Sequence, residues 1–213
     1  MTLLELNKGI CNIKDRDLNA MYEKSKNFNT SSTDAKTIYR ILDYLNKMFP
    51  VKTPELKRYS TISLFILIMD LMPNYDIRER EADIAKWFID FEAERLLDEH
   101  KEPEKQDPRL VVYHERVSHS SDSEDSLLYR HNFLKESLLT HVPNLPQKDP
   151  KRSFDEAQRQ VIYRRGNGIC KICGVKCNWN NWEADHITPW SKGGKTEIEN
   201  GPVSYTHLTL PTT

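Results

Sequence analysis

Residues 62–72, ISLFILIMDLM, limit what this chain can fold into more than any other stretch. The run is broken only by Ser63 and Asp70. It is too short for a membrane span, which needs ~20 apolar residues. It is also too apolar around its circumference for a surface helix. Such a helix has to be surrounded, and the flanking sequence offers the cover. Residues 15–26 place Leu18, Met21 and Tyr22 at helical spacing. Ser32-Thr33-Asp34 offers an N-cap to a helix with Ile38, Ile41, Leu42, Leu45 and Met48 on one face, and Pro50 ends it. Pro54 suits the start of the apolar helix and Pro73 its end. Residues 78–99 carry Ile84, Trp87, Phe88, Phe91 and Leu96 at helical intervals. Pro103 and Pro108 bracket a charged link, residues 118–126 form a polar loop, and a last helix carries Leu127, Leu128, Phe133, Leu134 and Leu138. The fold class expected is mostly α, with residues 1–142 as a helical bundle.

The chain has 213 residues and a formal charge of −1, so as a whole it carries no electrostatic bias toward nucleic acid. The charge is uneven, however. Residues 151–201 hold nine Lys/Arg against six Asp/Glu, a basic module on an acidic scaffold, which hints at a phosphate-bearing partner. The first residues show no basic segment followed by an apolar one, so no secretory signal is read there, and no membrane segment is expected. Four cysteines do not make a disulfide scaffold. Three of them, Cys170, Cys173 and Cys177, cluster, which points to metal and a reducing, cytoplasmic setting. His100, His114, His119, His131 and His141 are scattered without catalytic spacing. Pro143, Pro146 and Pro150 mark residues 143–152 as a linker to a second domain, residues 153–201.

Chemistry is concentrated in that second domain. Ser153-Phe154-Asp155-Glu156 has the form of a capping box opening a helix, with Gly166 at its C-terminal end. Cys170 and Cys173 have the Cys-x-x-Cys spacing of a zinc knuckle, and Gly174 permits the tight turn that aims two thiolates at one ion. Cys177 is either a third ligand or a spectator. Trp182 to Asp185 reads as a short strand ending in Asp185-His186. There the carboxylate can hold a hard divalent cation and the neutral imidazole can take a proton from water. Pro189, Gly193 and Gly194 shape a loop, and Asn200 could reach back to orient the imidazole.

Taken together, Cys-x-x-Cys-Gly, Ala-Asp-His-Ile-x-Pro, Ser-x-Gly-Gly-x-Thr and Asn resemble the HNH endonuclease family over about residues 159–201. The resemblance implies a ββα-metal module that hydrolyses DNA phosphodiesters. Asp185 would be a ligand of a catalytic divalent cation such as Mg²⁺, and His186 the general base. Asn200 would be the middle asparagine of the family name, and Cys170 and Cys173 half of a structural Zn²⁺ site. Upstream, the segments YHERVSHSSDSEDSLLYRHNFLKESLL and KDPKRSFDEAQRQVIYRR resemble the region preceding HNH in restriction-like proteins that pair it with an N-terminal ParB-like nuclease domain. That would put a nuclease domain outside this chain, make either Met1 an internal start or the gene record incomplete, and imply a restriction or defence role. The rival functions are a non-catalytic zinc-ribbon nucleic-acid-binding module and a helical interaction protein.

The family pattern continues after Asn200-Gly201 with leucine, a second Cys-x-x-Cys and a final His or Asn on a helix. This chain reads PVSYTHLTLPTT, with no cysteine after Cys177, and Pro211 leaves His207 little room for a helix. The module is therefore expected to be truncated, with half a zinc knuckle and little or no cleavage. Residues 203–213, VSYTHLTLPTT, back-translate to a sequence resembling a transposase adaptor used in sequencing libraries. Residues 202–213 are accordingly expected to be a non-native tail with Pro202 at the junction, with 203–213 set aside from the fold, and 192–213 is expected to be mobile because the helix that would cover it is absent.

Overall fold

The computed structural model describes residues 1–54, 56–142 and 145–206. Among these the chain is mostly helical, with one small sheet. It divides into two compact units. Unit 1 comprises Met1–Met72 and Ile77–Leu145; unit 2 comprises Pro73–Asp76 and the chain from Pro146 onward.

Unit 1 is built from α1 (Thr2–Leu6), α2 (Asp15–Lys24), α3 (Thr33–Met48), α4 (Arg58–Asn74, its last turn counted with unit 2), α5 (Glu81–Glu99), α6 (Pro108–Ser118) and α7 (Glu124–His141). The apolar run lies in α4, where Ile62, Leu64, Phe65, Ile66, Leu67, Ile68 and Leu71 are all buried. Burial on every side of this helix is what its composition demands. Ser32 caps α3 by accepting from Ala35 N at 3.2 Å, as its sequence indicates. An aromatic group joins α5, α6 and α7: Phe91 packs on Tyr113 with ring centroids 5.2 Å apart, and Tyr113 on Phe133 at the same separation. The buried Arg95 guanidinium is compensated by Glu92, at 3.0 Å, and by the Tyr59 hydroxyl, at 2.9 Å.

Two boundaries differ from expectation. The apolar helix begins at Arg58, four residues after Pro54, and the charged link runs straight into a full helix, α6, that starts at Pro108 and was not expected. Asp107 caps α6 by accepting from Arg109 N, and Pro108 stands in its first turn, where a missing N–H costs nothing.

Unit 2 holds α8 (Glu156–Arg165) and an antiparallel pair, β1 (Trp182–Ala184) and β2 (Val203–Tyr205), in the register Trp182 with Tyr205, Glu183 with Ser204 and Ala184 with Val203. Its core is Phe154, Ile162, Cys170, Cys177, Trp182 and Val203. Three expectations are corrected here. The cap of α8 is Asp155, not Ser153, and its box partner is Gln158; the chain stays extended through Phe154 so that this ring can enter the core. Residues 146–152 are no linker. Lys148 N donates to Asn74 O and Asp76 N to Pro146 O, each at 2.8 Å, so the segment is tied into unit 2 by backbone pairing. Residues 203–205 are not a passive tail either, since they form β2 and Val203 is only 2% exposed. Residues 207–213 lie outside the described residues, as does any helix after β2.

Candidate active site

The site is built on the connection between β1 and β2. Backbone bonds pull its ends together: Ile187 N donates to Asn200 O at 3.0 Å, and Asp185 N to Pro202 O at 3.4 Å. At its tip Gly193 takes φ +81°, a conformation that disfavours side chains. Gly194 is required for space, because a Cβ there would sit 1.8 Å from Thr188 O.

Asn200 braces this loop. Its Oδ1 accepts from Thr188 N at 2.8 Å, and its Nδ2 donates to Thr188 O at 3.1 Å and Lys195 O at 2.8 Å. The expectation that it orients the imidazole directly is corrected, because both amide protons are committed to loop backbone. It shapes the loop that carries His186 rather than touching the ring.

His186 sits half-buried directly after β1. Its ring lies against Phe154, with centroids 4.6 Å apart and planes 34° apart. Its Nε2 is 3.1 Å from Thr196 Oγ1. Burial holds its pKa below the ordinary histidine value, outweighing the nearby Asp185 and Asp149 carboxylates. The ring is therefore neutral near pH ~7 and able to accept a proton. Asp185 is exposed, and its Oδ1 accepts from His186 N at 2.8 Å.

Sequence reasoning missed the groups that hold the histidine in place. Thr196, 3% exposed, donates its hydroxyl proton to Lys151 O. Thr196 N donates to Asp149 Oδ2 at 2.8 Å, and Gln158 Nε2 donates to Thr196 O at 2.9 Å. Asp149 also accepts from Lys151 N with its other oxygen and from Trp190 Nε1 with its carbonyl. These backbone donors hold the Asp149 carboxyl below the usual carboxylate range. The threonine was visible in Ser-x-Gly-Gly-x-Thr, but nothing local signals the role of Asp149, 47 residues away from its partner.

The cysteines Cys170 and Cys173 lie on a tight turn. Ile169 and Lys176 pair across the turn, Gly174 takes φ +73°, and Gly174 N donates to Cys170 O. Cys170 is buried and Cys173 exposed. Burial pushes the Cys170 thiol up. Backbone N–H groups of Cys173, Ile172 and Tyr205, with the Cys173 thiol, outweigh it and bring the pKa down to about 7. Two such thiols fit half of a tetrahedral zinc site. Burial, with the neighbouring Cys170, pushes the Cys177 thiol up. Among the described residues no group of three His, Cys, Asp or Glu side chains converges on a point where an ion could sit. The knuckle thus offers two thiols and the loop one carboxylate, short of a closed cage at either place.

Residues 170–205 match the family model described as HNH endonuclease. This span runs from Cys170 to the end of β2 and contains Asp185, His186, Thr196 and Asn200. No curated protein and no solved structure matches the chain, and the upstream likeness to ParB-paired proteins finds no support in these comparisons. No helix among the described residues is long and apolar enough to cross a membrane.

Proposed function

We propose that unit 2 is a metal-dependent DNA endonuclease module in which His186 is the general base. The observation that carries this reading is a neutral imidazole held between Phe154 and Thr196 beside an exposed carboxylate, within the segment that matches HNH endonucleases. The imidazole takes a proton from water, and the hydroxide oxygen forms a bond to phosphorus as the leaving oxygen departs with its electron pair. Asp185 would hold the divalent cation, Mg²⁺ or a similarly hard ion, which when bound supplies charge stabilisation to the phosphate. Cys170 and Cys173 would hold Zn²⁺ as a structural clip.

Phosphate contacts are assigned to the cations gathered on Trp190. Lys148 Nζ lies 5.4 Å and Arg152 Cζ 5.5 Å from the ring centroid, on the same strap that braces Thr196. Two other cations of unit 2 are engaged elsewhere: Lys176 donates to Asn167 O, and Lys195 lies 3.9 Å from Glu197. A restriction or defence role rests on the upstream resemblance alone.

The test is nicking of supercoiled plasmid with protein in excess, with Mg²⁺ or Mn²⁺ and with chelator. With no closed cation cage among the described residues, nicking should be slow; it should require the cation, and Asp185→Ala should raise the cation concentration needed as well as lower the rate. DNA binding and zinc uptake without cleavage under any of these conditions would favour the zinc-ribbon binding module instead.

A further inference from the structure

A neutral imidazole carries one ring proton, so the nitrogen that bears it cannot be the base. The surroundings of His186 decide which nitrogen that is. Its Nε2 faces Thr196 Oγ1 at 3.1 Å. A threonine hydroxyl has a single proton and two lone pairs. Here the proton goes to Lys151 O, a backbone carbonyl that can only accept. Only a lone pair is left for the imidazole, so Nε2 must be the donor. We propose that Thr196 is a positioning residue that holds neutral His186 as its Nε2–H tautomer and leaves Nδ1 as the atom that takes the proton from water. Its catalytic meaning rests on the nuclease reading above, but its geometry does not.

The relay is fixed at each end. Lys151 O is presented by a turn in which Asp149 Oδ1 accepts from Lys151 N at 2.8 Å. Thr196 is anchored by its own N–H to Asp149 Oδ2 and by its carbonyl to Gln158 Nε2. The Gln158 amide has one orientation only, since its Oε1 accepts from Asp155 N at 3.0 Å and Nε2 must then face Thr196 O. The side chain that sets the tautomer is thus tied to both α8 and the 149–151 strap, while Phe154 covers one face of the ring. Such outer partners commonly fix both the tautomer and the angle of a working histidine.

The experiment is ¹⁵N–¹H correlation of the His186 ring nitrogens in the full chain, at a pH well above the ordinary histidine pKa. It is run on the parent, Thr196→Ser and Thr196→Val, with circular dichroism as the check on folding. The parent and Thr196→Ser should show a protonated Nε2 and a bare Nδ1. Thr196→Val, which keeps the shape and loses the hydroxyl, should show mixed tautomers and lose about 10–100-fold in kcat with KM little changed. A bare Nε2 or mixed tautomers in the parent overturns the proposal without need of any variant, as does a folded Thr196→Val with the parent's spectrum. A parent that shows the expected tautomer and nicks no DNA leaves Thr196 as the positioning residue and removes the nuclease reading instead.

Discussion

Single residues carry this site. Gly194 is the sharpest case, because a methyl group there would collide with a backbone oxygen that cannot move aside. Gly194→Ala should cost about 1–3 kcal/mol or more, the scale of overpacking, and should release the Asn200 amide from the loop; chemical denaturation and the Asn200 side-chain amide resonances would report both. Asp149 is the least expected member. Asp149→Asn leaves one strong acceptor oxygen where two backbone N–H groups, of Lys151 and Thr196, now converge. Loss of that brace should blur the His186 ring resonances while the secondary structure persists. Asp185-His186 could be read from the sequence because the pair is adjacent and its chemistry is local. The roles of Thr196, Asp149 and Phe154 could not, because each acts through a partner distant in the chain and no periodicity records such a pairing.

Elements show the same division. The burial of α4 follows from composition, and the start of α3 from its Ser32 cap. Helix α6 was obscured because only Leu110 and Tyr113 of its residues are buried, too sparse a stripe to stand out after the charged link. The start of α8 was displaced because tertiary packing of Phe154 outweighs the local preference of Ser153 for a cap. Strand β2 was hidden by the odd composition of the last residues, yet Tyr205 N donates to Cys170 Sγ at 3.4 Å and Val203 fills the core beside Trp182. Val203→Asp would bury an unpaired carboxylate there, which is costly in an apolar setting. It should abolish the near-ultraviolet signal of Trp179 and Trp182, whose rings lie 5.4 Å apart. In α7, His131 is buried, with its Nε2 3.3 Å from Asp70 and its Nδ1 unpartnered among the described residues. Burial holds its pKa below the ordinary value, outweighing the pull of Asp70. The unfolded chain then binds more protons than the folded one in that window. Its contribution to stability is therefore full above the ordinary histidine pKa of ~6.5 and is lost as pH falls below that toward the folded value. His131→Gln should flatten the change in urea midpoint between about pH 7.5 and about pH 5.5; an unchanged slope would show that other groups set it.

At the scale of the molecule, each unit owns a core: the α4-centred bundle in one, and Phe154, Ile162, Trp182 and Val203 in the other. Disrupting the second core with Val203→Asp should therefore leave most far-ultraviolet helical signal in place, since most of the helix lies in unit 1. The family match falls entirely in unit 2, and the proposed chemistry converges there on one ring. The direct measurement is the rate of metal-dependent plasmid nicking by the folded parent against folded His186→Ala, under single-turnover conditions. A general base contributes about 10²–10⁴-fold, so the alanine variant should nick slower by that factor while binding DNA as the parent does. Equal rates for the two proteins, or no nicking by either with any divalent cation, would contradict the account.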